Sequence, residues 1–119
     1  MRRVALLGSF AAALTLAGGS SAFAQSDIYH DLRDIRRDRA DIHHDEARLR
    51  AERADRNYDT RREWRAIEHG HWRAARYWYW RRRHEQYEVN ATRGDLYRDR
   101  IDLGRDKADL RRDIWRYTR

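Results

Sequence analysis

The chain has 119 residues, 27 of them Lys or Arg and 20 Asp or Glu, for a net charge of +7 with neutral histidines. It contains no Cys and no Pro, and its hydrophobic and charged fractions are nearly equal at 40% and 39%. These numbers exclude a disulfide-stapled scaffold, allow one domain at most and leave little apolar surface to bury. The lack of Pro also argues against a disordered secreted segment, a class usually enriched in Pro, Ser and Gly.

Residues 1–24 read as a secretory signal peptide. Arg2 and Arg3 form a basic start, Val4–Ala17 an apolar stretch, and Ala22-Phe23-Ala24 a small-x-small cleavage site before Gln25. The apolar stretch is short for a membrane span of about 20 residues. The expectation is therefore a bacterial periplasmic or secreted chain that does not span the membrane after cleavage. Residues 25–119 form the expected single domain, with 25 basic and 20 acidic side chains and a net charge of +5.

Ser26 is the expected N-cap of the first helix, with Asp27 favourable in its first turn. The segment 27–49, DIYHDLRDIRRDRADIHHDEARL, returns as 95–117, DLYRDRIDLGRDKADLRRDIWRY; 10 of 23 positions are identical. Each copy repeats D-[IL]-x-x-D-x-x three times, and a seven-residue beat is close to two helical turns. Ile28, Leu32, Ile35, Ile42 and Leu49 form an apolar stripe beside a row of carboxylates. Further on the stripe thins to Ala47, Ala51, Ala54 and Tyr58. Thr60-Arg61-Arg62-Glu63 matches a capping box, and Asn90–Gly94 is a weak break. The stronger turn signal is His69-Gly70-His71, because Gly commonly ends helices. The expected fold is all-α: a long antiparallel, coiled-coil-like helical hairpin turning near 69–71. The alternative is a three-helix bundle with breaks near 60 and 92.

If the chain folds back at His69, facing residues have numbers that add to 138. That register stacks Ile28 on Leu110, Ile35 on Leu103, Ile42 on Leu96 and Leu49 on Val89. It also sets acid against base, with Asp31 facing Lys107, Asp38 facing Arg100, Asp45 facing Arg93 and Asp99 facing Arg39. These pairs are expected to act as interhelical specificity devices flanking a thin Ile/Leu seam. So thin a seam makes dimerisation through the remaining apolar surface an expectation.

The excess positive charge sits in the middle, where residues 57–84 carry 8 basic side chains against Asp59, Glu63 and Glu68. Four of the five Trp lie there too. Guanidinium groups pair with phosphate, and amphipathic rings settle at headgroup level. Arg73, Arg76, Trp78, Trp80, Arg81, Arg82 and Arg83 are therefore the candidate contacts to an anionic envelope surface, or to client proteins. The surface would be lipid headgroups, lipopolysaccharide or peptidoglycan. The competing reading is a small aromatic core of Trp64, Trp72 and Tyr79 with Arg stacked over the rings. Nucleic acid is a poor partner for an exported chain.

A divalent transition metal is the other candidate ligand, held by His69 and His71 or by His43 and His44. No spacing matches a closed structural site, so no cofactor is expected beyond this. Nothing supports catalysis: Ser26, Thr60, Thr92 and Thr118 are the only Ser or Thr side chains in the mature chain, and no Gly-rich phosphate loop exists. The outline is similar to small periplasmic stress chaperones built as helical cradles, whose LTxxQ signature the mature chain lacks. The expectation is a non-enzymatic exported interaction protein, with a metal-binding protein or a purely structural coiled coil as alternatives.

Overall fold

The protein is an all-α helical hairpin. The computed structural model describes residues 17–119, with side chains from Ala22 onward. Helix α1 spans Ala17–Glu68 and α2 spans Trp72–Tyr117. Most of the expected signal peptide, residues 1–16, lies outside the described residues. Helix α1 passes through the expected cleavage site, so Ser26 lies inside the helix and does not cap it. Among the described residues, no helix is long and apolar enough to cross a membrane.

The bend is where the glycine signal places it. The Gly70 N–H donates to the Ile67 carbonyl and the His71 N–H to the Ala66 carbonyl, at 3.0 and 2.8 Å. This is a Schellman closure, and it requires a left-handed residue, supplied by Gly70 at φ 68°. Helix α2 starts without a side-chain cap; its first bond runs from the Ala75 N–H to the His71 carbonyl. The breaks of the three-helix alternative are not used. Thr60 continues the helix by donating its hydroxyl back to the Arg56 carbonyl at 2.8 Å. Thr92 is buried between the arms, where its hydroxyl donates to Glu52 and accepts from Arg48.

The arms touch along alternating layers. Leu49, Val89 and Leu96 form a buried cluster with Ile42 packed against it, so the expected neighbours Leu49 and Val89 do share a core. Ile35 is buried farther out, whereas Leu32 is exposed. Toward the turn the core line becomes polar: Arg56 donates to Gln86 at 3.0 Å and Arg82 to Glu63 at 2.5 Å, before Ala66 and Ala75 close the end. Ala47, Ala51 and Ala54 do not continue the seam and are exposed.

The register differs from the expected one. Glu52 bonds Thr92 and Asp27 bonds Tyr117, pairs whose numbers add to 144. Asp31 faces Asp113, Asp38 faces Asp106, and Asp45 faces Asp99 in the same register. The expected pairs Asp31–Lys107, Asp38–Arg100, Asp45–Arg93 and Asp99–Arg39 are therefore absent among the described residues. Arg100 instead reaches Glu46, at 3.4 Å. The apolar rows repeat every seven residues, so a hairpin displaced by about one heptad aligns them equally well. The charged rows do not share that equivalence.

Candidate functional site: the basic aromatic end and the carboxylate seam

The end of the hairpin is lined with rings and guanidinium groups. Trp78 is half-buried, edge-on to Tyr58 at 5.9 Å, with the Arg62 and Arg81 guanidiniums 5.0 and 5.6 Å from its ring centre. Arg82 and Arg83 lie over Tyr79, at 5.3 and 5.8 Å. Trp64, Trp72, Tyr77 and Trp80 remain exposed, so the small core of Trp64, Trp72 and Tyr79 does not form. Of the two expected anchors, Trp80 faces solvent and Trp78 is the ring that packs.

The arginines divide by task. Arg82 is ion-paired to Glu63 and Arg81 lies 3.5 Å from the buried carboxylate of Asp59, so both help hold the arms together. Arg73, Arg76 and Arg83 are exposed and form no ion pair among the described residues, although Arg83 donates to the Tyr79 hydroxyl at 3.0 Å. These three cations, with Trp80, Trp72 and Tyr77, make an outward surface that can accept an anion without dismantling the hairpin.

The histidines do not converge. His69 and His71 flank the turn with ring centres 5.9 Å apart, beside an open groove of about 260 Å³ shared with Arg62, Arg65 and Trp78. The His69 ring nitrogen Nδ1 is already within 2.7 Å of the Arg65 carbonyl. His43 and His44 lie about 38 Å away along α1, taking 1.5 Å per residue. Among the described residues, no group of three or more His, Asp or Glu side chains is placed to hold a metal ion.

The second assembly is the seam itself, which sequence reasoning missed. Asp31 and Asp38 each keep one oxygen without a hydrogen-bond donor, as do Glu52 and Asp59. Burial, followed by the facing Asp106 and the nearby Asp102 and Asp41, pushes the Asp38 carboxyl from 3.8 up to about 6. Burial and then Asp113 raise Asp31, while burial and then Asp45 raise Asp99. Nearer the turn, burial and then Asp55 and Asp59 raise Glu85. Each facing pair can be relieved by one shared proton, the arrangement expected of two carboxylates in one site. The available signal was that both copies carry the same Asp row, which an antiparallel fold can bring against itself.

Comparison with protein-family models, with characterised proteins and with solved structures finds no match to this chain.

Proposed function

We propose that this is a non-enzymatic exported protein of the bacterial periplasm that docks on an anionic envelope surface through the end of its hairpin. The observation that carries the reading is the exposed set Arg73, Arg76, Arg83, Trp72, Tyr77 and Trp80, where cations that form no ion pair among the described residues alternate with amphipathic rings. Arginine suits phosphate, and exposed Trp and Tyr suit the headgroup zone. Client proteins with acidic surfaces would meet the same chemistry.

The test is intrinsic Trp fluorescence of residues 25–119 titrated with vesicles of phosphatidylglycerol or phosphatidylcholine. The reading expects a blue shift with the anionic vesicles only, reduced by Trp80→Ala and by joint replacement of Arg73, Arg76 and Arg83 with Gln. No shift with either vesicle, or the same shift with both, would refute it. If the vesicles are inert and the chain instead suppresses aggregation of an acidic client, the chaperone-like branch replaces it.

A further inference from the structure

The outward face of α2 carries a pattern that extends far beyond the turn. Counting by sevens from Trp80 gives Tyr87, Gly94, Ile101, Ala108 and Trp115. Trp80, Tyr87, Ile101 and Trp115 are 59%, 70%, 38% and 56% exposed, on the side of the helix away from buried Val89, Thr92 and Leu96. A side chain built on Gly94 would meet nothing within 4 Å, so the row crosses open surface there. From Trp80 to Trp115 it runs about 52 Å at 1.5 Å per residue.

Charge is sorted around this row. Asp99, Asp106 and Asp113 face α1, whereas Arg76, Arg83, Arg98, Arg105 and Arg112 are exposed on the flanks of the aromatic line. Arg98, Arg105 and Arg112 reach back to Asp95, Asp102 and Asp109, each three residues earlier. Such exposed pairs are weak and open readily to a competing phosphate. The outer row of α1 is different: Arg33, Ala40, Ala47, Ala54 and Arg61 carry no aromatic ring. One arm alone thus has the make-up of an interfacial helix, with an apolar aromatic line edged by arginine.

From this placement we infer that α2 lies along an anionic phospholipid bilayer, with Trp80, Tyr87, Ile101 and Trp115 set at headgroup depth and α1 held away from it. The inference rests on the proposed docking to an anionic surface and specifies its extent and its ligand. The rings occupy the headgroup zone, the flanking arginines pair with lipid phosphates, and the acidic seam stays turned toward α1. The occupant follows from charge complementarity and from shape. A straight row some 50 Å long fits a flat, laterally continuous anionic surface better than a single compact ligand.

Because the chain has no native cysteine, single cysteines can carry an environment-sensitive fluorophore cleanly. Labels at Tyr87→Cys, Ile101→Cys and Trp115→Cys are expected to brighten and shift to the blue on phosphatidylglycerol vesicles, with no response on phosphatidylcholine. Labels at Ala40→Cys, Ala47→Cys and Ala54→Cys are expected to stay unchanged. Circular dichroism confirms that each labelled chain keeps its helix content. Tyr87→Ser with Trp115→Ser should weaken vesicle partitioning roughly tenfold while helix content is kept. A response confined to labels at Trp72→Cys and Trp80→Cys would overturn the lengthwise arrangement and leave end-on docking intact. Equal responses from both arms would overturn it as well. Binding to lipopolysaccharide micelles alone would refute the phospholipid assignment, and silence at every position with every anionic surface would remove both readings together.

Discussion

Acidification should tighten this hairpin, and Asp38 provides the most direct measure. Its carboxyl faces Asp106 across the seam, with Asp102 and Asp41 close by, and its pKa rises from 3.8 to about 6. Because the folded value lies above the unfolded one, the closed hairpin holds the proton more tightly than the open chain does. The stabilisation is therefore complete below pH 3.8 and is lost as pH rises through about 6. A rise of about two pH units corresponds to about 3 kcal/mol between protonation states. The pair is partly open to water, and screening reduces the share reaching stability to about 1 kcal/mol. Asp31 and Asp99 are raised in the same direction and add to the effect. The assay is urea denaturation followed by circular dichroism at pH 7, 6, 5 and 4 and constant ionic strength. The wild-type midpoint should climb as pH falls. Asp38→Asn, which offers Asp106 an amide donor, should be more stable than wild type by about 1 kcal/mol at pH 7 and should flatten the slope. A wild-type midpoint that is flat or falling between pH 7 and 5 would refute the facing-carboxylate seam. So would an unchanged slope in the variant.

Other consequences are quickly checked. Cysteines replacing Asp38 and Asp106 should cross-link on mild oxidation, whereas cysteines at Asp38 and Arg100 should not; the reverse would restore the register expected from charge pairing. Leu49→Ala should cost about 2–3 kcal/mol in denaturation experiments because the side chain belongs to the one buried apolar cluster among the described residues. Leu32→Ala, on the exposed side, should cost less than about 0.5 kcal/mol. Gly70→Ala should lower stability by about 1 kcal/mol, since alanine must take the left-handed turn conformation at φ 68°.

The candidate docking residues show how far one-dimensional reading reaches. The excess of Arg, Trp and Tyr between 57 and 84 is compositional, so it was visible without coordinates. Which of those side chains remain free was not. Arg81 and Arg82 look like Arg73 and Arg76 in the sequence, yet α1 places Asp59 and Glu63 beside the first pair, whereas the second forms no ion pair among the described residues. Trp78 and Trp80 differ by only two positions, but at about 100° per residue that is more than half a turn. Contact with Tyr58 on the other arm then decides which ring is covered.

By itself the sequence determined that the chain is helical, that the helix is amphipathic on a seven-residue beat, and that it bends at His69-Gly70-His71. Local propensity, periodicity and the left-handed tolerance of glycine all act within a few residues, so they are written in consecutive positions. Only the tertiary structure decided the pairing of the arms. A heptad pattern constrains alignment only to within multiples of seven, so two registers satisfy Ile35, Ile42, Leu49, Leu96 and Leu103 alike. The register adopted sets Asp38 against Asp106 instead of Arg100. That choice depends on how the turn and both helices pack together over their whole length, and it converts an expected charge zipper into a seam of facing carboxylates.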